Sequence, residues 1–580
     1  MENCRRSRGL FVATDLFDRF RQALTAQSSR QPFHQRYLAV LLKSGQSLPD
    51  NGNLPSSSPA ENPKSEPTVT QQLASVAFRE LPMGYLPDAF ELSGGQKRVG
   101  LLRPSLGEAY ARAVVEHTLG HRAGIFIQSF GMSPRTVVEH CLESLELRRR
   151  RDLLLVLVSL AFGWSFFPGV MLWLAALWIR SLIRPGAAAL RSLPVAAIVA
   201  MAVWLAVRGL PGGSWLSWYS RFVLLAPVVG WSIAKDLVLR SAVNLRARLL
   251  AVLDGTPVAD RPSPVYRRRS TSRIVALEEL DAEQDSNVLL SSDGVGILGL
   301  GRRWGRWRLE EDLTARDGIG IQSFKAGEII DSVITNLLDQ HQLSVDGDGD
   351  IGPSIRNWVV IDTSGRTGRI QRPTGVEVEG FNLSAAEVLR AKDSMLLGKD
   401  RQHRLGAQYS LHGGRLVVTF LVSATVVDAV LEVEVSAYAL GPPSAQLISQ
   451  PGCNWSQVLS VTRFRKSEFP VDSGEVARLL TRAYFSWTPA LLGRLGGTLS
   501  VPEPFGLRHG WAIRPWTDRF MADDALRIAT PVLRTIHTAI MEVMDSGGVD
   551  TERFNARAWG ADDGSDTAMT QNAEGQYPFR

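Results

Sequence analysis

Residues 153–179 read LLLVLVSLAFGWSFFPGVMLWLAALWI, an uncharged run entered from four consecutive arginines, Arg148 to Arg151. As one helix the run would extend roughly 40 Å at ~1.5 Å per residue, more than the ~30 Å hydrocarbon core of a bilayer. Pro168-Gly169 divides it near its middle into two apolar halves. Proline removes a backbone donor and kinks a helix, a loss that membrane helices tolerate where neighbours repair it. Two chain paths satisfy the pattern: one long tilted span, or a hairpin that returns to the side it entered. Charge selects between them, because arginines also follow the run at Arg180, Arg184 and Arg191. Lys and Arg favour the cytoplasmic side, so the hairpin is expected.

Two further apolar stretches follow. Residues 192–207, SLPVAAIVAMAVWLAV, carry Ala196/Ala200 and Ala202/Ala206, the small-xxx-small spacing that lets helix backbones approach. Residues 209–220 hold Pro211, Gly212 and Gly213, then Trp215, Trp218 and Tyr219, aromatics favoured at a membrane interface, and read as a short outside loop. The third stretch, 214–234, contains Pro227 and ends at Lys235, ahead of Arg240, Arg246 and Arg248. A hairpin plus two spans makes four membrane segments and leaves both flanks cytoplasmic. A single first span makes three and puts one arginine cluster outside, against the charge rule. Each half of 153–179 is shorter than the ~20 residues a span needs, so the halves dip into the bilayer if they do not cross it.

Outside this region the composition is that of ordinary globular chains, and 580 residues leave room for more than one domain. The net charge of +6 and pI near 9.3 invite nucleic acid as a partner. Much of the arginine lies beside the apolar stretches, however, where anionic lipid headgroups are the simpler partner, and nucleic acid is set aside. Cys4, Cys141 and Cys453 lie far apart with no paired spacing, which suits a reducing compartment. The first twenty residues lack the apolar core of a signal peptide.

In chain order, residues 1–46 read as an N-terminal helical segment and 47–68 as a Pro/Ser-rich disordered linker. Residues 69–147 form a small α/β unit, with helices near 70–80 and 106–119 and a hairpin across Ser93-Gly94-Gly95. Ser133 as N-cap and Pro134 at the first position start the next helix, which runs into the arginines. The transmembrane region is 148–240, followed by a basic connector over 241–275 with the run YRRRSTSR, suited to an anionic leaflet. Residues 276–548 form a larger α+β soluble domain, and 549–580 an acidic disordered tail. Within the soluble domain the pattern predicts a helix over 326–341 and a buried strand at Trp358–Asp362. It further predicts core strands in LVVTFLVSATVV (416–427) and the alternating LEVEVSAYAL, then helices near 473–486 and 523–545.

Several motifs fail on their own terms. Leu92-Ser93-Gly94-Gly95-Gln96 resembles the signature sequence of ABC-transporter ATPases, but no GxxxxGK[ST] loop precedes it and a hairpin turn explains it. His117 and His121 share a helical face with His140 in reach, yet Gly120 interrupts and no metal pattern completes the set. Asp346, Asp348 and Asp350 alternate as in a calcium loop, but Ile351 and Asn357 stand where Gly and Glu are required. Ser364 breaks the aspartic-protease turn in VVIDTSG, and Gly294, Gly296, Gly299 and Gly301 lead into RRWGRWRLEED rather than a helix. That Arg/Trp run, Arg302 to Arg308, suits headgroups or stacked bases, or an ordinary hairpin with solvated arginines.

No catalytic, cofactor-binding or metal-ligating residue is assigned. The fold expected is a multi-pass α-helical membrane region of about four segments in two hairpins, flanked by the small α/β unit and the α+β domain. The role expected is a membrane-anchored cytoplasmic scaffold, sensor or ligand- or protein-binding module, with the lipid bilayer, anionic headgroups, a protein partner of the C-terminal domain and a second copy of the chain as partners. An enzyme of unfamiliar type using residues such as His403, His412 or His509 is the first alternative, and a small transport or channel component the second. Within the apolar segments no carboxylate, histidine or lysine sits at depth, which argues against a coupled transporter.

Overall fold

The computed structural model describes residues 67–80, 104–120, 126–182, 188–208, 215–255, 271–292, 296–316, 321, 325–343, 352–362, 378–392, 401–427, 429–448, 473–486, 505–512 and 519–552. The N-terminal helical segment, most of the 47–68 linker, the Ser93–Gly95 turn, His121, Asp346 to Asp350, the 256–270 stretch and the tail beyond 552 lie outside these residues.

The described part of 69–147 is mainly helical, with Phe126 in an isolated parallel bridge to Phe505. Helix α1 (Val69–Val76) opens on a capping box: the Thr68 hydroxyl accepts from the Gln71 N–H, and the Gln71 side chain accepts from the Thr68 N–H at 2.7 Å. Helix α2 (Leu106–Val115) runs into a π-turn at Glu116–Gly120. Helix α3 (Pro134–Ser159) has Ser133 as its N-cap and Pro134 in its first turn, and it continues through a π-turn at Leu160–Trp164. Then come α4 (Phe167–Leu182), α5 (Ala188–Arg208), α6 (Trp215–Phe222) and α7 (Ala226–Leu253). Helix α8 (Thr271–Gln284) leads into the sheet.

The strands are β1 (Val288–Ser292), β2 (Gly296–Ile297), β3 (Arg302–Asp312), β4 (Ser354–Asp362), β7 (Arg401–Leu411), β8 (Leu416–Val427) and β9 (Val430–Leu440), with β5 (Val378–Glu379) and β6 (Asn382–Leu383) as a separate small pair. They pair in the order β2-β1-β4-β7-β8-β9-β3, antiparallel except for β1 beside β4. The remaining helices are α9 (Ala326–Leu343), α10 (Ala385–Lys392), α11 (Ala445–Ile448), α12 (Ser473–Ala483) and α13 (Arg519–Ser546). Gly548, at φ 74, follows the end of α13.

One face of the sheet buries Leu405, Ala407, Val418, Phe420, Val433 and Val435 against Ile329, Val333 and Leu337 of α9 and Ile536, Ile540 and Met544 of α13. Over part of the other face, Trp358, Val417, Leu421 and Leu440 pack with Phe130 of the N-terminal flank. The first seven residues of β8 are therefore buried on both sides, which explains why its sequence is continuously apolar while that of β9 alternates.

A separate core joins the two flanks. Leu73, Tyr110, Val114 and Val138 pack with Leu245, Leu249 and Val252 of α7, Leu277 and Leu280 of α8, and Phe505, Leu507 and Trp511. Residues on both sides of the apolar helices thus share one hydrophobic core.

Candidate functional site

The most distinctive surface is formed by the end of α3, by α4, α5 and α6, and by the start of α7. Pro168-Gly169 lies in the first turn of α4, which leaves the α3 direction at 89° across a break at Ser165 and Phe166, a bend and not the full reversal of a hairpin. Helix α6 meets α7 at 55°. A Cβ on Gly169 would lie 1.8 Å from the Val223 carbonyl, so glycine here permits backbone contact between α4 and the α6–α7 link. The Trp173 indole donates to the Leu224 carbonyl at 3.0 Å, and Phe166 stacks on Tyr219. Gly230 lets Phe162 lie against α7. Ala176, Ile198, Ala202 and Leu224 fill the crossing, so one of the sequence's small-residue positions, Ala202, does serve helix packing.

The rest of this layer is bare. Trp164 is 81% exposed, Val207 76% and Trp215 74%, and Met171, Leu174, Trp178, Leu193, Val203 and Trp204 are also exposed. Scattered exposed apolar side chains are normal on a soluble surface, whereas a contiguous apolar surface marks an interaction site. No single described helix is long and apolar enough to cross a membrane.

Below the layer lies a buried ionic seam. Arg482 of α12 grips Glu108 of α2 through its Nε at 3.0 Å and its Nη2 at 2.8 Å, and Arg112 adds a contact at 2.9 Å. Burial alone would raise the Glu108 carboxyl, but Arg482 and Arg112 outweigh it and hold it well below the usual carboxylate range. Arg151 pairs with Asp152 at 2.9 Å and Glu80 at 3.4 Å. Burial nonetheless pushes Glu80 up, only partly offset by Arg151 and Arg148. Arg148 donates to the Ala77 and Arg79 carbonyls, and burial lowers it to about 10. Two of the four sequential arginines thus face inward as structural groups, while Arg149 and Arg150 are exposed.

The other sequence candidates are dispersed. His117 lies against the Phe505 ring, and His140 sits edge-on to Phe78 with Glu143 at 3.4 Å. No group of three potential metal ligands occurs among the described residues. His403, buried in β7, faces the Asn357 Oδ1 at 3.1 Å. Burial, reinforced by Lys392 and Arg404, lowers it to about 4, so it is neutral and donates. His412 pairs with Asp524 at 2.8 Å from a turn where its φ is 52. His509 is half-buried beside Arg508. The Arg/Trp run is edge strand β3: Arg306 and Arg308 each lie 2.9 Å from a glutamate of β9, Glu434 and Glu432, while Trp304 and Trp307 pack on the helical face. Gly299 and Gly301, both at positive φ, allow the loop to approach Gln128 and Ala439.

Sequence reasoning missed the segment that ties the flanks together. The Ile127 N–H donates to the Phe505 carbonyl at 2.8 Å, and the Gln284 amide exchanges hydrogen bonds with the Ser129 backbone. Arg508, fully buried, donates to the carbonyls of Phe130, Arg415, Leu440 and Gly441, and burial lowers it to about 9. The nearest signal was an arginine in an otherwise apolar and glycine-rich stretch, FGLRHGW.

Residues 306–561, less than half of the chain, match the family described as the AbeC-like domain. The match begins inside β3 and runs past the end of α13, so it leaves out the helical layer and the N-terminal flank. No curated protein and no solved structure matches the chain.

Proposed function

We propose that the chain is a multi-pass integral membrane protein whose helical layer anchors one soluble body, built from both flanks, on the cytoplasmic side, where it serves as a scaffold, sensor or binding module. The observation that carries this reading is the set of exposed apolar side chains among the described residues between Leu153 and Ile233, with Leu157, Trp164, Leu174, Trp178, Val203 and Trp204 among them. Anionic headgroups suit the exposed Arg149 and Arg150 beside it.

The shared core supports the sidedness. Leu73 and Val138 before the layer pack with Leu277 and Trp511 after it, so both flanks must lie on the same side of any bilayer the layer enters. Within this reading the shared core supports an even number of crossings, and the basic residues around the body favour the cytoplasm. A binding rather than catalytic role is supported by His403 and His412, each held in a pair that fixes local structure, with Asn357 and Asp524.

Fractionation of cells expressing the full chain tests the proposal. The protein should stay with the membrane pellet through an alkaline carbonate wash and be released by detergent. Recovery in the soluble fraction, or release by alkali alone, would overturn it.

A further inference from the structure

We infer that the α4–α5 hairpin is the part of the layer that crosses the bilayer, standing upright between its leaflets, while α3 and α7 lie along the membrane surface. This rests on the membrane reading above and specifies its geometry.

The first ground is the chemistry of each helix's circumference. Every exposed residue described from Phe167 to Ile179 and from Leu193 to Val207 is apolar. A helix lying in the interface needs a polar face for water and headgroups, which α4 and α5 lack. Helix α7 has one: its exposed residues mix Val229 and Ile233 with Ser232 and the Asp236–Arg240 pair.

The second ground is length. Above their charges α3 offers residues 153–164, about 18 Å, and α7 residues 226–234, about 13 Å, at ~1.5 Å per residue. In α4 and α5 the uncharged runs 167–179 and 192–207 reach about 20 and 24 Å. Helix α12 also packs against α3 at Leu155 and carries Glu475 and Arg478, and Tyr484 just after it bonds Ser159, so lipid cannot surround α3 at that level.

The third ground is the 89° bend, which forbids α3 and α4 from both standing upright. If α3 were upright, α4 would lie flat with a bare apolar face toward the headgroups. No single described helix is long and apolar enough to cross unaided. The hairpin crosses as a packed pair, and local thinning of the bilayer makes up the shortfall against ~30 Å.

The geometry makes a topological prediction that differs from four segments. Single cysteines are introduced as Arg184→Cys, Gly212→Cys and Arg580→Cys in a full-length background of Cys4→Ser, Cys141→Ala and Cys453→Ser. Each is labelled with a membrane-impermeant maleimide in intact cells and in inverted vesicles. Position 184 should react from the face opposite position 580, and position 212 from the same face as 580. Position 184 on the same face as 580, or position 212 on the opposite face, overturns the inference. Protease-site insertions at 184, 212 and 580 in the chain with native cysteines give the same readout if Cys141→Ala disturbs folding. Failure of the membrane reading itself would show separately, as loss of the protein from the carbonate-washed pellet.

Discussion

Arg482 and Glu108 meet through three hydrogen bonds of 2.8, 3.0 and 3.2 Å although 374 residues separate them. Their side chains are 2% and 4% exposed. A carboxylate so deeply desolvated is tolerable only because a guanidinium fork faces it, and the guanidinium only because the carboxylate does. The pair ties α12 to α2 next to the helical layer, so the seam holds together parts of the chain that lie on either side of that layer in sequence.

Removing one partner leaves the other charged and buried. Arg482→Met or Glu108→Gln should each cost about 3–5 kcal/mol, and the double variant should cost clearly less than the sum. Thermal unfolding of the purified chain measures this. The sign with pH follows from the depressed Glu108 carboxyl: its contribution is present above the ordinary carboxylate value and is lost as pH falls through that value toward the folded one.

Arg508 acts without a carboxylate, satisfying four backbone carbonyls from three segments. Arg508→Met would strand those acceptors, at about 1–3 kcal/mol for each left unsatisfied. Arg508→Lys should recover little, because an ammonium cannot span the carbonyls as the planar fork does. Limited proteolysis should show faster cleavage in both variants.

His403 provides a pH signature of the β4–β7 pairing. Its value falls from the ordinary 6.5 to about 4 on folding, so the unfolded chain binds the proton more readily. Stability should therefore drop as pH falls from about 6.5 to about 4, by up to about 3 kcal/mol. His403→Gln, which keeps a donor for Asn357, should flatten that part of a pH–melting profile.

Gly406 is where Trp358 needs room. A Cβ there would lie 1.9 Å from the Trp358 ring, which is fully buried. Gly406→Ala should destabilise the sheet by about 1–3 kcal/mol or more. Trp358→Phe in the same chain should relieve part of the clash, and a smaller loss in the double variant than in Gly406→Ala alone would confirm that contact as the cause.

What could be read in advance follows a simple division. Local signals located Ser133-Pro134 at the start of α3, the helices α9 and α13, and the apolar strands β8 and β9, because capping, periodicity and β-branching act within a few residues. The same local view treated Arg148 and Arg151 as flanking charges, when both turn inward to carbonyls and carboxylates far away in sequence.

The sequence by itself determined that residues 153–179, 192–207 and 222–234 are uncharged, apolar stretches set among basic residues, since composition needs no partner to be read. Only the tertiary structure decided that α4 leaves α3 at a right angle and that the N-terminal segment Phe126–Gly131 is laced into the C-terminal domain. Such features depend on backbone approach at Gly169 and Gly131 and on Arg508 finding carbonyls in three segments. Pairings of that kind arise from packing between distant parts of the chain, and no periodicity or motif encodes them.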